Sequence, residues 1–187
     1  MGNLLGVVLC GGESKRMGSD KGLLVKSDKP WAVLVAEKLK ETGLPVAVSI
    51  NETQQTSYQA LFPDTPLILD HLPISGPLDG LLSIHRNFPE KDILLMACDL
   101  IDMDTTTIQT LIDSYLSNPS FEYYVYQQHG FTQPFCAIYT SKALTIVYKA
   151  FEENQLKNYS LHHRFESGNT MYIPAKNEES FKNYNSI

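Results

Sequence analysis

A chain of 187 residues with 43% hydrophobic and 19% charged side chains is long enough to cover one α/β core, and nothing in that length calls for a second domain. A formal net charge of -6 argues against broad attachment to nucleic acid or to an anionic membrane, which both need clustered Lys and Arg. No apolar run approaches the roughly 18 residues of a membrane span.

The N-terminal run Leu4 to Val8 has no basic segment ahead of it and no small-residue cleavage signature, so it reads as a first strand and not as a leader. Cys10, Cys98 and Cys136 are odd in number, far apart and free of C-x-x-C spacing. That argues against a disulfide framework or a structural zinc site and points to a reducing cytoplasm.

Unalternating runs of Val, Ile and Leu at residues 4–9, 46–50, 67–69 and 93–97 predict parallel strands covered on both faces. Helical spacing predicts helices over 31–41, 78–86 and 106–116, between those strands. Residues 122–126 and 135–139 then predict two strands joined by a turn through His129 and Gly130, adding an antiparallel edge, with a helix from Ser141. The stretch 154–168 reads as polar with scattered aromatics, and 171–174 as a last short strand. The alternation defines an α/β protein with a mostly parallel sheet between two helical layers, in a single domain over residues 1–187.

The first strand runs into Leu9-Cys10-Gly11-Gly12-Glu13-Ser14-Lys15-Arg16-Met17-Gly18-Ser19-Asp20-Lys21. Glycines directly after a strand let the backbone curl and a phosphate approach closely, and Arg16 and Lys21 supply charge. The segment lacks both G-x-x-x-x-G-K-[ST] and G-x-G-x-x-G, so it is a different phosphate-binding solution. It resembles the L-A-G-G-x-x-x-R-M-G-x-D-K signature of the molybdenum cofactor guanylyltransferase family, with Cys10 where that signature commonly has Ala. The resemblance implies a nucleotide-diphospho-sugar transferase-like, Rossmann-type fold.

Further segments extend the resemblance. Asp70 followed by Gly76-Pro77-Leu78-Asp79-Gly80-Leu81 is similar to the family's Asp and G-P-L-x-G-L, and Pro77 suits the first turn of a helix. Asp99 closes a buried strand at its C-terminal end, where open α/β sheets bind ligands. It corresponds to the family's C-D-x-P, with Leu100 and Ile101 in the last two places. Residues 133–139 are similar to Q-P-L-x-A-L-Y, and 181–186 to F-x-N-x-N-T, with Ser186 for Thr and no P-E-D-L continuation.

The resemblance implies a Mg²⁺-dependent enzyme that moves GMP from GTP to molybdopterin and releases pyrophosphate. It gives Leu9, Cys10, Gly11, Gly12, Arg16, Lys21, Asn51, Asp70, Pro77, Leu78, Gly80 and Asp99 to the nucleotide. Arg16, Lys21 and Asp99 are the catalytic candidates, and Asp99 is the metal ligand, since Mg²⁺ commonly takes one or two carboxylates and completes its shell with phosphates and water. Asn183 and Asn185 go to the acceptor, or read equally as terminal surface residues. A cytidylyltransferase or sugar-phosphate nucleotidyltransferase on the same scaffold, or a non-catalytic nucleotide-binding protein, are the alternatives; partners beyond GTP and molybdopterin would be transient cofactor-delivering or acceptor proteins. His162, His163 and Arg164 form no metal-binding spacing and are expected in solvent. Tyr123, Tyr124 and Tyr126 read as strand packing.

Overall fold

The computed structural model describes residues 2–11, 20–182 and 184. The chain runs β1 (Leu4–Leu9), β2 (Val25–Lys26), β3 (Lys29–Pro30), α1 (Trp31–Glu41), β4 (Val46–Ile50), α2 (Gln55–Leu61), β5 (Leu67–Leu69), α3 (Pro77–Asn87), β6 (Asp92–Ala97) and α4 (Thr105–Ser117). It continues through β7 (Tyr123–Gln128), β8 (Phe131–Tyr139), α5 (Ser141–Glu152), α6 (Leu161–Ser167) and β9 (Thr170–Pro174). Short 3-10 turns at Lys21–Leu23, Glu52–Gln54 and Glu178–Phe181 complete the described elements.

Among the described residues one 7-stranded sheet has the order β5-β4-β1-β6-β8-β7-β9. The strands β5, β4, β1 and β6 are mutually parallel, β8 pairs antiparallel with β6 and β7, and β9 returns parallel to β7. Burial on both faces explains the unalternating apolar runs. Along β1, Leu4 and Val8 enter one core with Ala32, Val35 and Leu39 of α1 and Ile108 and Leu111 of α4. Leu5, Val7 and Leu9 enter the opposite core with Leu78, Leu81 and Leu82 of α3 and Leu144 of α5. Each such Val or Leu removed from water contributes about 1.5–3 kcal/mol, which fixes the register of the central strand.

The chain leaves β1 for β4 and β5 on one side and then crosses to β6 on the other, so the sheet reverses direction of winding beside β1. A crevice opens at such a reversal, at the carboxyl ends of the strands. Leu9 pairs with Ala97 at that end of the sheet, which brings Cys10 and Gly11 beside Cys98 and Asp99.

Several elements differ from the sequence reading. The strand expected over 135–139 begins at Phe131, because Pro134 falls where the β7–β8 register shifts between Val125 and Gln127, so its missing N–H breaks no regular ladder. Helix α6 occupies part of the stretch read as polar and irregular, held by Leu161 and Phe165 one turn apart. Helix α2 is anchored by Tyr58. The β2–β3 hairpin turns through Ser27 and Asp28, both at positive φ, a backbone usually signalled by Asn-Gly and not by this pair. His162 is exposed and its Nδ1 lies 2.5 Å from Thr132 Oγ1. Arg164, expected in solvent, is half-buried and donates to Asn158 O at 2.8 Å. Tyr123, Tyr124 and Tyr126 are buried.

Candidate active site

Four strand ends converge on the crevice. From β1, Cys10 N–H and Gly11 N–H both donate to Ser49 O at the end of β4, at 2.9 and 3.1 Å. Gly11 therefore has no spare amide to offer a ligand, and its missing side chain makes room for the Asp70 carboxylate. An added Cβ at Gly11 would overlap Asp70 Oδ2, and only glycine fits there.

Asp70 follows β5 and its N–H donates to Ile50 O at 2.8 Å. Ser49 Oγ donates to Asp70 Oδ1 at 2.5 Å. Burial pushes the carboxyl up to about 7, against the lowering effect of the Ser49 bond and with a further rise from Asp79. Gly80, in the first turns of α3, packs against the same carboxylate: a Cβ there would meet Leu9 Cδ1 and Ser49 Oγ at 2.5 Å and Asp70 Oδ1 at 3.2 Å. Leu9, Gly11, Ser49, Asp70 and Gly80 thus form one tight group from four separate elements.

Helix α3 starts as its Gly-Pro pair predicts. Gly76 sits at φ +88°, Pro77 takes the first turn, and the helix N-terminus opens toward the group around Asp70. The Leu78 side chain lies in the core behind that helix, so any nucleotide contact it makes runs through its backbone.

On the other side of β1, Asp99 sits in the turn two residues after β6 at 7% exposure. Lys21 Nζ donates to Asp99 Oδ2 at 3.1 Å. One buried carboxylate beside a lysine suits a Mg²⁺ ion that draws most of its ligands from phosphates and water, and among the described residues no cluster of three or more His, Cys, Asp or Glu is arranged as a protein-only metal cage. The loop after Asp99 is pinned from three directions. Lys38 Nζ donates to Ile101 O at 2.7 Å and Met103 O at 2.6 Å, Lys26 Nζ to Asp102 Oδ1 at 2.6 Å, and Tyr184 Oη to Asp102 Oδ2. The Lys26 and Tyr184 bonds hold the Asp102 carboxyl below its usual range. These contacts fix a loop that lacks the proline of the family pattern.

Asn51 caps the turn after β4, accepting from Gln54 N at 3.2 Å and Thr53 Oγ1 at 2.7 Å, which leaves its amide nitrogen as the group it can offer a ligand. Gly12 and Arg16, and the acceptor candidates Asn183 and Asn185, lie outside the described residues. Ser49, Asp20 and Gln54 were not singled out from sequence. The Asn51-x-x-Gln54 spacing, a capping-box pattern, is the signal that points to the last of them.

Close-packed glycines at the sheet reversal, with a lysine bonded to the aspartate after β6, fit an α/β nucleotidyltransferase scaffold. The sequence pattern of the MobA-like NTP transferase domain matches residues 6–166, and the chain belongs to that family. It is 31% identical over 166 residues to a probable molybdenum cofactor guanylyltransferase of Flavobacterium johnsoniae, covering 86% of this chain and 81% of that protein. It is 29% identical over 147 residues to a molybdenum cofactor biosynthesis bifunctional protein of Synechocystis, covering 79% of this chain but 42% of that protein. The chain therefore spans less than half the length of this bifunctional relative. The fold matches the crystal structure of molybdopterin-guanine dinucleotide biosynthesis protein A from Archaeoglobus fulgidus with a TM-score of 0.77 at 18% identity, over 97% of this chain and 92% of that one.

Proposed function

We propose that this chain, as a single domain over residues 1–187, transfers GMP from GTP to molybdopterin in the cytoplasm and forms molybdopterin guanine dinucleotide and pyrophosphate. The observation that carries the reading is the Lys21–Asp99 pair at 3.1 Å, set across β1 from the glycine-walled Asp70 carboxylate. One end of the crevice suits phosphate and metal, and the other a base. The names borne by the Flavobacterium and Archaeoglobus proteins support the choice of guanine and of a molybdopterin acceptor.

In this reading an acceptor phosphate oxygen attacks the α-phosphorus of GTP, the new P–O bond forms and the bond to the β-phosphate oxygen breaks. Lys21, joined by Arg16, holds the triphosphate and meets the negative charge that grows on the departing pyrophosphate. The backbone at Leu9, Cys10, Gly11 and Gly12 lets the phosphates approach closely. Asp99 would hold Mg²⁺, which when bound neutralises phosphate charge. Asp70, backed by Gly80 and the Pro77–Leu78 backbone, accepts from the N–H edge of guanine, Asn51 supplies an amide donor, and Asn183 and Asn185 meet the acceptor. The residues need only position and neutralise, since no enzyme-bound intermediate is required.

The test is calorimetric titration with GTP and with CTP in the presence of Mg²⁺, followed by pyrophosphate release with GTP and molybdopterin. At least a tenfold preference for GTP, about 1.4 kcal/mol, with release that depends on molybdopterin, is the expected result. Preference for CTP would replace the reading with a cytidylyltransferase.

A further inference from the structure

We infer that Gln54 is a positioning residue that ties together the two described ends of the glycine-rich segment and holds the Asp20 carboxylate away from the nucleotide phosphates. The inference rests on the nucleotide-binding reading of that segment and names a device that serves it.

Gln54 is a polar side chain at 7% exposure, and its amide is in use on both sides. Nε2 donates to Cys10 O at 3.0 Å, just before Gly11, and to Asp20 Oδ2 at 2.8 Å, just before Lys21. Oε1 accepts from Asn51 N at 2.9 Å. The reverse amide orientation would aim an oxygen at a carboxylate and a carbonyl, so the chemistry of the partners fixes which atom is which. One side chain therefore sets the distance between residue 10 and residue 20 and orients Asn51 as well.

Asp20 is the unexpected neighbour of an anion site, because an unshielded carboxylate beside a triphosphate repels it. Here both its oxygens are drawn inward. Oδ2 takes the Gln54 bond, while Oδ1 accepts from Gly22 N at 2.9 Å and Tyr58 Oη at 3.0 Å. Tyr58 is fully buried, and Gly22 must lack a side chain because a Cβ there would overlap the Tyr58 hydroxyl. Lys21, the next residue, is thereby delivered to Asp99. Loss of the Gln54 amide would strand Cys10 O and release Asp20 on the phosphate side.

A simple cap would affect folding alone, whereas a positioning role affects how strongly phosphates are held. The experiment titrates wild type, Gln54→Met, Gln54→Glu and Tyr58→Phe with GTP and with GMP in the presence of Mg²⁺, alongside thermal unfolding. Gln54→Met should weaken GTP by about tenfold or more while GMP changes less than threefold, the scale expected for lost hydrogen bonds to a charged group. Gln54→Glu should weaken GTP further, and adding Asp20→Asn to it should recover part of the loss by restoring a donor between the two positions. Tyr58→Phe keeps the ring, guards against a misfolded Gln54 variant, and should shift the GTP to GMP ratio in the same direction by less. Equal changes in GTP and GMP, or unchanged GTP affinity with a lowered Tm, would overturn the inference. A wild type that prefers CTP changes the base assignment only, and the same ratio is then read with CTP and CMP; binding of neither overturns both.

Discussion

Lys21 Nζ and Asp99 Oδ2, 78 positions apart in the chain, form an ion pair at 3.1 Å with side chains only 19% and 11% exposed. The pair joins the end of the glycine-rich segment to the turn after β6. In the proposed reaction an incoming triphosphate would compete for the lysine, and a divalent ion for the carboxylate. Lys21→Met and Asp99→Asn should each lower pyrophosphate release by roughly 10²–10³, with GTP affinity also reduced in the methionine variant. Near-normal turnover in either would remove that residue from the chemistry.

Asp70 gives the site a pH dependence whose sign can be worked out. Burial pushes its carboxyl up to about 7, so protonated and ionised forms coexist near neutrality in the empty site. In the proposed contact, guanine N–H donors would favour the ionised form, so binding would release a proton. GTP affinity should then rise from about pH 6 to about pH 8, by at most about tenfold per unit, and level off above that. Titrations at several pH values check this against Asp70→Asn as control. The nucleotide's own titration persists in the variant, so a slope unchanged in Asp70→Asn would exclude the carboxylate as its source.

Gly80→Ala reverses the ordinary rule for helices. In an exposed helix interior the change would gain about 1 kcal/mol, but here the new Cβ would sit 2.5 Å from Leu9 Cδ1 and Ser49 Oγ. Overpacking should destabilise the protein by about 1–3 kcal/mol and displace Asp70, weakening GTP. Urea unfolding gives the sign directly, and a stabilised variant would show that the group around Asp70 is looser than described.

Trp31 is the single tryptophan, buried at the start of α1, with the Tyr184 ring 5.7 Å away at 57°. Lys26 Nζ lies 5.7 Å over the same ring. Tyr184→Leu should shift Trp31 emission to the red and raise its quenching by acrylamide, because the Tyr184 ring covers the indole. Since Asn183 and Asn185 flank Tyr184, the acceptor KM should rise while GTP affinity holds. Unchanged emission would mean that Tyr184 does not pack on Trp31 in solution.

Much of this protein is legible in one dimension because its decisive signals are local. The runs at 4–9, 46–50 and 67–69 and the helix at 31–41 coincide with the observed β1, β4, β5 and α1, since a strand buried on both faces and a helix buried on one leave period and composition in the sequence. Gly76 and Pro77 likewise announce the start of α3. The short elements α2, α6 and the β2–β3 hairpin carry too few apolar positions to show a period and are held by one or two buried side chains each.

Only the tertiary structure decided what meets what. It put Gly11 and Gly80 against Asp70, bonded Ser49 to Asp70 and Gln54 to Cys10 and Asp20, and tied Tyr184 to Asp102. These contacts join residues from separate elements, and sequence spacing marks a local cap such as Asn51–Gln54 but not the distant partners that burial forces a polar side chain to find.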